Sequence, residues 1–219
     1  MRNLVLSVKR SEFRSDDPKS VESDAVYKKL KPSILKDGDY TCEFCGFKSD
    51  KRQHIHHLDD NHNNNKRSNL VIACSLCHMC CHIGFAGEKS LGDLIYLEQD
   101  IGIKQADLNN IIRFLWIGQE SKDSVISEYS ENMLDRFYNM TTHARRILRT
   151  NDLSVFGDFL MSLSDRDYKA REEKIKGFYF LPNKEGFKAD IDVWKKQNGI
   201  PDPKLWFEIA KKKSELIFE

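Results

Sequence analysis

Two Cys-x-x-Cys pairs constrain the fold of this chain more than any other feature of its sequence. The pairs are Cys42/Cys45 and Cys74/Cys77, and a stretch rich in histidine and asparagine separates them. A Cys-x-x-Cys turn presents two thiolates on one side, which is half of a tetrahedral Zn²⁺ coordination shell. We therefore predict that these four cysteines bind one structural zinc ion, which joins two distant segments of the chain.

Two other interpretations of the cysteines are weaker. Free cysteines pack well as small apolar side chains, but paired spacing on both sides is typical of zinc sites. Disulfides form in oxidising compartments, and the N-terminal residues MRNLVLSVKRSEFRS lack the long apolar run of a secretion signal, which indicates a reducing cytosol. Cys80 and Cys81 have no matching pair and are expected to be packed or exposed thiols.

Several histidines lie between and just after the cysteine pairs. In the strand-like segment QHIHHL, His56 and His57 are expected on opposite faces. A loop rich in Asn and Asp follows, and a short apolar strand then begins at Asn69. A helix from the second cysteine pair onward would place His82 one turn after His78 on the same face. The sequence thus predicts a hairpin followed by a helix, with several imidazole groups able to converge.

The order of these residues resembles the HNH, or ββα-metal, nuclease motif. By that resemblance His57 is the general base that activates water, and Asn69 fixes the loop and orients that base. The resemblance also implies a catalytic divalent metal, Mg²⁺, Mn²⁺ or Ni²⁺, held by His56, His78 and His82. The Gly-Gly often found in the loop of that motif is replaced here by Asp-Asn-His-Asn. The alternative is that the histidines only support the zinc module or remain from a lost activity.

A second resemblance covers nearly the whole chain. Its segments are, in order, TCEFCGF, NNNKRSNLVIAC, GDLIYLEQ, QADLNNIIRFLW, VFGDFL and GFYFLPNKEGFKADIDVW. They are similar to the IcmJ/DotN family of type IVB secretion systems. The resemblance implies a zinc-bound, HNH-like subunit attached to the cytoplasmic tail of a coupling ATPase, acting as a structural component rather than a nuclease. This chain departs from the familiar members, which have lost the paired histidines and the Cys-His, because His56, His57 and His78 are present.

The charge balance favours a protein partner over nucleic acid. The net charge is +1, so no global field draws the chain to nucleic acid or membrane. Residues 42–82 also carry only one net positive charge, and a dedicated nucleic-acid binder usually shows a clearer basic patch. No apolar run approaches the ~20 residues of a membrane span, so membrane insertion is not expected.

The remaining pattern predicts an α+β protein with two parts. Residues 1–87 form a zinc-bound HNH-like module with an N-terminal strand at 4–8 and a helix at 22–35. Residues 88–219 form a mostly helical region packed on it. In this region we expect a strand or extended segment from Asp93 and helices at 104–117, 124–149, 152–162 and 186–197. The apolar residues of the tail at 204–218 are expected to face a partner or to pack on their own domain. The glycine-rich segment GFAGEKSLG, residues 84–92, is expected to be irregular. The aromatic run at 177–182 is interpreted as core, with nucleotide stacking as the alternative.

Two functional hypotheses follow from these features. The first is an adaptor subunit of a type IVB secretion or conjugation system, cytoplasmic and held at the inner face of the membrane through its partner. The second is a metal-dependent DNA endonuclease that uses His57. The first is favoured because its resemblance extends over the helical half.

Overall fold

The computed structural model describes residues 1–10, 20–97, 102–196, 208, 211–213 and 217–218. The helices are Ser20–Asp37 (α1), Ser75–Cys80 (α2), Ile83–Glu88 (α3), Gln105–Gly118 (α4), Ser124–Asn139 (α5), Thr141–Leu148 (α6), Leu153–Ser162 (α7), Asp165–Lys169 (α8), Arg171–Lys174 (α9) and Lys188–Trp194 (α10). The strands are Gln53–His57 (β1), Leu70–Cys74 (β2), Gly92–Tyr96 (β3) and Phe178–Pro182 (β4). The fold is mixed α and β, as predicted.

An antiparallel hairpin precedes α2, as the histidine pattern predicts. Strands β1 and β2 pair with Ile55 opposite Ile72 and His57 opposite Leu70. The first helix, α1, covers the hairpin, and Ile34 packs with these three apolar side chains in a small core. The predicted helix at 22–35 is therefore confirmed, and it continues through Pro32 to Asp37.

The aromatic run forms a core strand. Strand β4 pairs antiparallel with β3, with Phe180 opposite Leu94. Both side chains are fully buried, and so is the neighbouring Leu181. Core packing, rather than nucleotide stacking, therefore accounts for this segment, and the predicted strand from Asp93 is confirmed as β3.

The predicted long helix over 124–149 is wrong, because the chain breaks at Met140 between α5 and α6. Asn139, Thr141 and Thr142 surround the break, and these residue types are weak helix formers. The hydroxyls of Thr141 and Thr142 each donate to a carbonyl three residues earlier, which gives the backbone an alternative to the regular helical ladder.

The prediction of an N-terminal strand is also wrong, although alternate side chains of this segment are buried as predicted for one. Leu4, Leu6 and Val8 are buried, yet residues 1–10 belong to no strand. Their backbone instead bonds to the end of α2 and the start of α3, where Ser7 N–H donates to Cys80 O at 2.9 Å. Period-two burial therefore arises here from an extended segment that lies on helices, without a strand partner.

The glycine-rich stretch after His82 forms helix α3 rather than an irregular segment. Helix α3 packs closely on α7, and a Cβ placed on Gly157 would lie only 2.6 Å from the Gly84 Cα. A glycine is needed at this contact because the two backbones nearly touch. The glycines thus allow close helix packing.

One main core includes side chains from both predicted parts, such as Leu76 and Ile83 with Leu108 and Phe137. The division at residues 87 and 88 stays a prediction. Among the helices of the described residues, none is long and apolar enough to cross a membrane. Most of the tail at 204–218, which is predicted to bind a partner or pack on its own domain, lies outside the described residues. The described positions within it, 208, 211–213 and 217–218, are helical.

Candidate metal centres

Four cysteine side chains converge where the loop before β1 meets the end of β2. The Sγ atoms of Cys42, Cys45, Cys74 and Cys77 all lie within 4.8 Å of one another, and all four side chains are buried. The Cys45 and Cys74 sulfurs are 3.7 Å apart, which is far beyond the roughly 2.05 Å of a disulfide. A tetrahedron of sulfurs about 2.3 Å from Zn²⁺ has edges of about 3.8 Å. The four sulfurs therefore fit a metal ion such as Zn²⁺.

Local backbone geometry presents the two pairs. In the first pair, Cys42 N–H donates to Phe47 O at 2.9 Å, and Gly46 N–H donates to Cys42 O at 2.9 Å. Gly46 has φ +72°, a left-handed conformation that suits glycine. In the second pair, Cys74 ends β2 and Cys77 lies in α2. The turn and the strand–helix junction thus bring two short sequence motifs together.

Buried polar side chains of α4 lie beside the sulfurs, and the cysteine and histidine motifs did not predict them. Arg113 Nη2 donates to Cys74 Sγ at 3.1 Å. Asn109 Nδ2 lies 3.3 Å from Cys77 Sγ and 3.5 Å from Cys80 Sγ. Their sequence signal was available, since polar residues recur every four positions on the apolar face of the predicted helix.

Cys80 and Cys81 are free and buried beside this centre. Burial raises the pKa of both thiols well above the ordinary value. They are packed thiols, one of the two outcomes expected of cysteines without a matching pair.

Three histidines form a second cluster. The candidate ligand nitrogens of His56, His78 and His82 lie within 4.8 Å of one another. The three rings meet edge to face, with centroids 4.8–5.7 Å apart. His56 comes from β1, His78 from α2 and His82 from the residue before α3. The hairpin and helix thus bring these imidazoles together as the sequence predicted.

Burial keeps these imidazoles neutral. It lowers the pKa of His56 to about 3 and of His82 to about 4, and the neighbouring imidazoles add to the effect at His56. The pKa of His78 is also well below its ordinary value because of burial. Its Nδ1 is buried without a hydrogen-bond partner. Neutral imidazoles with an available nitrogen are suited to bind a divalent metal.

His57 lies on the other face of β1 yet lines the same cavity as the three histidines. The cavity encloses about 220 Å³. The His57 Nε2 is 3.0 Å from Asn65 Oδ1, and the Asn65 amide nitrogen donates to Ser23 of α1. This network indicates that Nε2 carries the proton and leaves Nδ1 as an acceptor. Burial lowers the pKa of His57, so the ring can take up a proton from water at neutral pH.

Asn69 holds the loop between the strands. Its Nδ2 donates to Asp59 Oδ1 at 2.7 Å and to Asn64 O at 2.9 Å, and its Oδ1 accepts from Asp59 N–H at 3.1 Å. The His57 ring is hydrogen-bonded to Asn65 instead. Nothing in the spacing separates Asn65 from its neighbours in the run of asparagines. The catalytic roles of His57 and Asn69 stay predictions.

A fourth histidine, His54, packs against the three-histidine cluster. Its ring lies flat on His78, and its Nε2 is 3.3 Å from Ser75 Oγ. The Ser75 hydroxyl in turn donates to Asp190 of α10. Strand alternation places His54 on the same face as His56, so this neighbour could have been found from the sequence.

Comparison with known proteins found one informative relative. The chain is 29% identical over 175 residues to the type 4 apparatus protein DotN of Legionella pneumophila, and the match covers 78% of this chain and 80% of that protein. No protein-family model matches the chain.

Proposed function

Because this chain belongs to the IcmJ/DotN family, we propose that it is a zinc-stabilised adaptor subunit of a type IVB secretion or conjugation system that docks on the coupling ATPase. The observation that carries the proposal is the match over 78% of the chain, which is too long to lie within residues 1–87 and therefore extends into the helical half. A nuclease module alone would not need this helical half for its chemistry. The proposed location is the cytoplasm, at the inner face of the membrane through the partner.

We further propose that the hairpin and α2 form an HNH-type module with structural zinc on Cys42, Cys45, Cys74 and Cys77. Four buried sulfurs that all lie within 4.8 Å of one another support the zinc assignment. The bound metal would hold the loop before β1 to the β2–α2 junction, and folding would depend on it. Elemental analysis of the purified chain tests this part, since one zinc per chain is expected and its absence would reject the assignment.

Co-purification tests the adaptor role. The tagged chain, expressed in its native host, is expected to recover the coupling ATPase, identified by mass spectrometry. An untagged culture is the control for non-specific binding. Recovery of the chain without any secretion or conjugation component, together with metal-dependent nicking of DNA, would overturn the adaptor role.

The histidine cavity favours a second candidate, a metal-dependent DNA endonuclease. His56, His78 and His82 would hold a divalent ion, Mg²⁺, Mn²⁺ or Ni²⁺, that stabilises the leaving 3′ oxygen. His57 lines the same cavity with its Nδ1 available to take a proton from water. DNA would then be a partner as well as protein.

A plasmid-nicking assay separates the two candidates. The wild-type chain is incubated with each of the three metals beside His57→Ala. His143→Ala is the matched control, because His143 lies in α6 and does not line the cavity. An endonuclease would lose activity by about 100-fold or more in His57→Ala alone. Absence of nicking by the wild type with every metal rejects the enzyme.

A further inference from the structure

Arg113 is a fully buried cation beside the four cysteines. Its side chain is 0% exposed, and its guanidinium carbon lies 3.8 Å from the centroid of the Phe47 ring and 4.9 Å from that of Trp194. One nitrogen donates to Cys74 Sγ at 3.1 Å, and another donates to the neutral amide oxygen of Asn110. Removing a guanidinium from water in this way is costly unless an anion faces it.

The anion that faces Arg113 can be identified by elimination. Within the described part of the chain, no carboxylate lies within ion-pair distance of the guanidinium, and sulfur is its only neighbour that can carry negative charge. Four protonated thiols would supply no charge. Four thiolates around one Zn²⁺ leave a net charge of −2, which Arg113 reduces to −1.

We propose that Arg113 is the charge-compensating and positioning residue of a zinc–thiolate centre, and that helix α4 thereby belongs to the metal site. The proposal rests on the zinc assignment made above. It extends that assignment because the compensating charge comes from the helical half of the chain. Arg113 lies more than thirty residues beyond Cys77, the last of the four cysteines. The zinc centre and the helical half then depend on each other for stability.

Two asparagine side chains of α4 also contact the cysteine pairs. Asn109 donates to Cys77 Sγ at 3.3 Å, and its Oδ1 accepts from Gln105 Nε2 at 2.9 Å, which fixes the amide with its nitrogen toward the sulfur. Gln105 is itself held by the backbone N–H and C=O of Phe180 in β4. Asn110 Nδ2 donates to Cys45 O at 2.9 Å and holds the first cysteine turn. One face of α4 therefore contacts both cysteine pairs.

Two aromatic rings, Phe47 and Trp194, connect the cysteine centre to α10. Phe47 belongs to the first cysteine turn and Trp194 to α10, and their rings meet edge to face with centroids 5.4 Å apart. The guanidinium of Arg113 contacts both rings. Loss of the zinc centre would therefore remove the charge that holds Arg113 in place and expose Trp194.

Zinc release to a colorimetric chelator tests the proposal in the full-length chain. Arg113→Met is expected to release zinc about 10-fold faster or more, the usual range for partners that lie behind metal ligands. Arg113→Lys keeps a charge but loses the planar hydrogen-bonding group, so its rate is expected to lie in between. Arg136→Met is the control, since Arg136 stacks on Phe218 and does not contact a cysteine.

A spectroscopic readout distinguishes this role from a general loss of stability. With Co²⁺ in place of zinc, the sulfur-to-cobalt charge-transfer bands are expected to shift in Arg113→Lys and Asn109→Leu, because each removes a hydrogen bond to sulfur. If Arg113→Met does not fold, these two variants still test the proposal. Wild-type release rates together with unshifted bands would overturn the proposal. A wild-type protein without zinc would instead reject the zinc assignment.

Discussion

The His54 ring lies flat against the His78 ring, with centroids 5.0 Å apart and planes inclined by only 8°. His78 contributes to the three-histidine cluster, whereas His54 does not. The His54 Nε2 lies 3.3 Å from Ser75 Oγ, and the Ser75 hydroxyl donates to Asp190 in α10. The helical half thus supports the orientation of one candidate metal ligand.

Removal of His54 should therefore weaken metal binding at the histidine cluster. His54→Ala is expected to lower the affinity for Mn²⁺ or Ni²⁺ by about 10-fold, since partners of ligand side chains typically contribute this much. His54→Phe retains the stacking and loses the contact with Ser75, so it separates the two effects. Isothermal titration of protein with its cysteine site already filled by zinc measures the change.

His143→Ala, in α6, is the control for the loss of a histidine outside the cluster, and it should bind the metal as the wild type does. Equal affinities for His54→Ala and the wild type would show that the stacking has no influence on the ligand.

Sequence spacing located both candidate metal centres because most of their candidate ligands belong to short local motifs. Cys42/Cys45, Cys74/Cys77 and the pair His78/His82 each lie within one turn of backbone, where spacing determines geometry. The same kind of spacing marks Arg113 as a polar residue on the apolar face of α4, but it could not assign the partner of Arg113. Its contact with Cys74 spans 39 residues, and only packing of α4 on the module creates it.

Sequence patterns predicted the fold with the same limit: they located local elements but not the contacts between distant segments. The amphipathic pattern gave α4 within one residue at each end, because apolar periodicity reports burial directly. The N-terminal segment has correct alternation but no strand partner, since pairing depends on what lies beside the segment. Met140 interrupts a pattern that continues on both sides, so apolar periodicity alone could not place the break.

Removal of zinc should expose Trp194. Trp194 is fully buried against Phe47 and Arg113, so chelation is expected to shift its fluorescence emission to longer wavelength. The shift should reverse when zinc is restored. Emission spectra before and after a strong chelator measure it.

Trp194→Phe should remove most of this response. Trp116→Phe should retain it, because Trp116 is equally buried but stacks on Phe187 rather than on the cysteine turn. An identical response in Trp194→Phe and the wild type would show that zinc and α10 are not coupled.

The close approach of α3 and α7 predicts a difference between two glycine substitutions. Gly157→Ala places a Cβ 2.6 Å from the Gly84 Cα and should lower the free energy of unfolding by about 1–3 kcal/mol. Gly84→Ala meets nothing nearer than 3.7 Å and should be neutral or slightly stabilising. Urea denaturation of both variants measures the difference. Equal stabilities would contradict the close contact.

Asn65 should orient His57 if the cavity is catalytic. Its side chain joins the His57 ring to Ser23 of α1, so Asn65→Ala removes the acceptor that keeps the proton on Nε2. We expect nicking to fall in Asn65→Ala, though less than in His57→Ala, and nitrogen NMR to show a mixture of His57 tautomers. Asn63→Ala, in the same exposed loop, is the control. A single unchanged tautomer in Asn65→Ala would exclude this role, whatever the nicking activity.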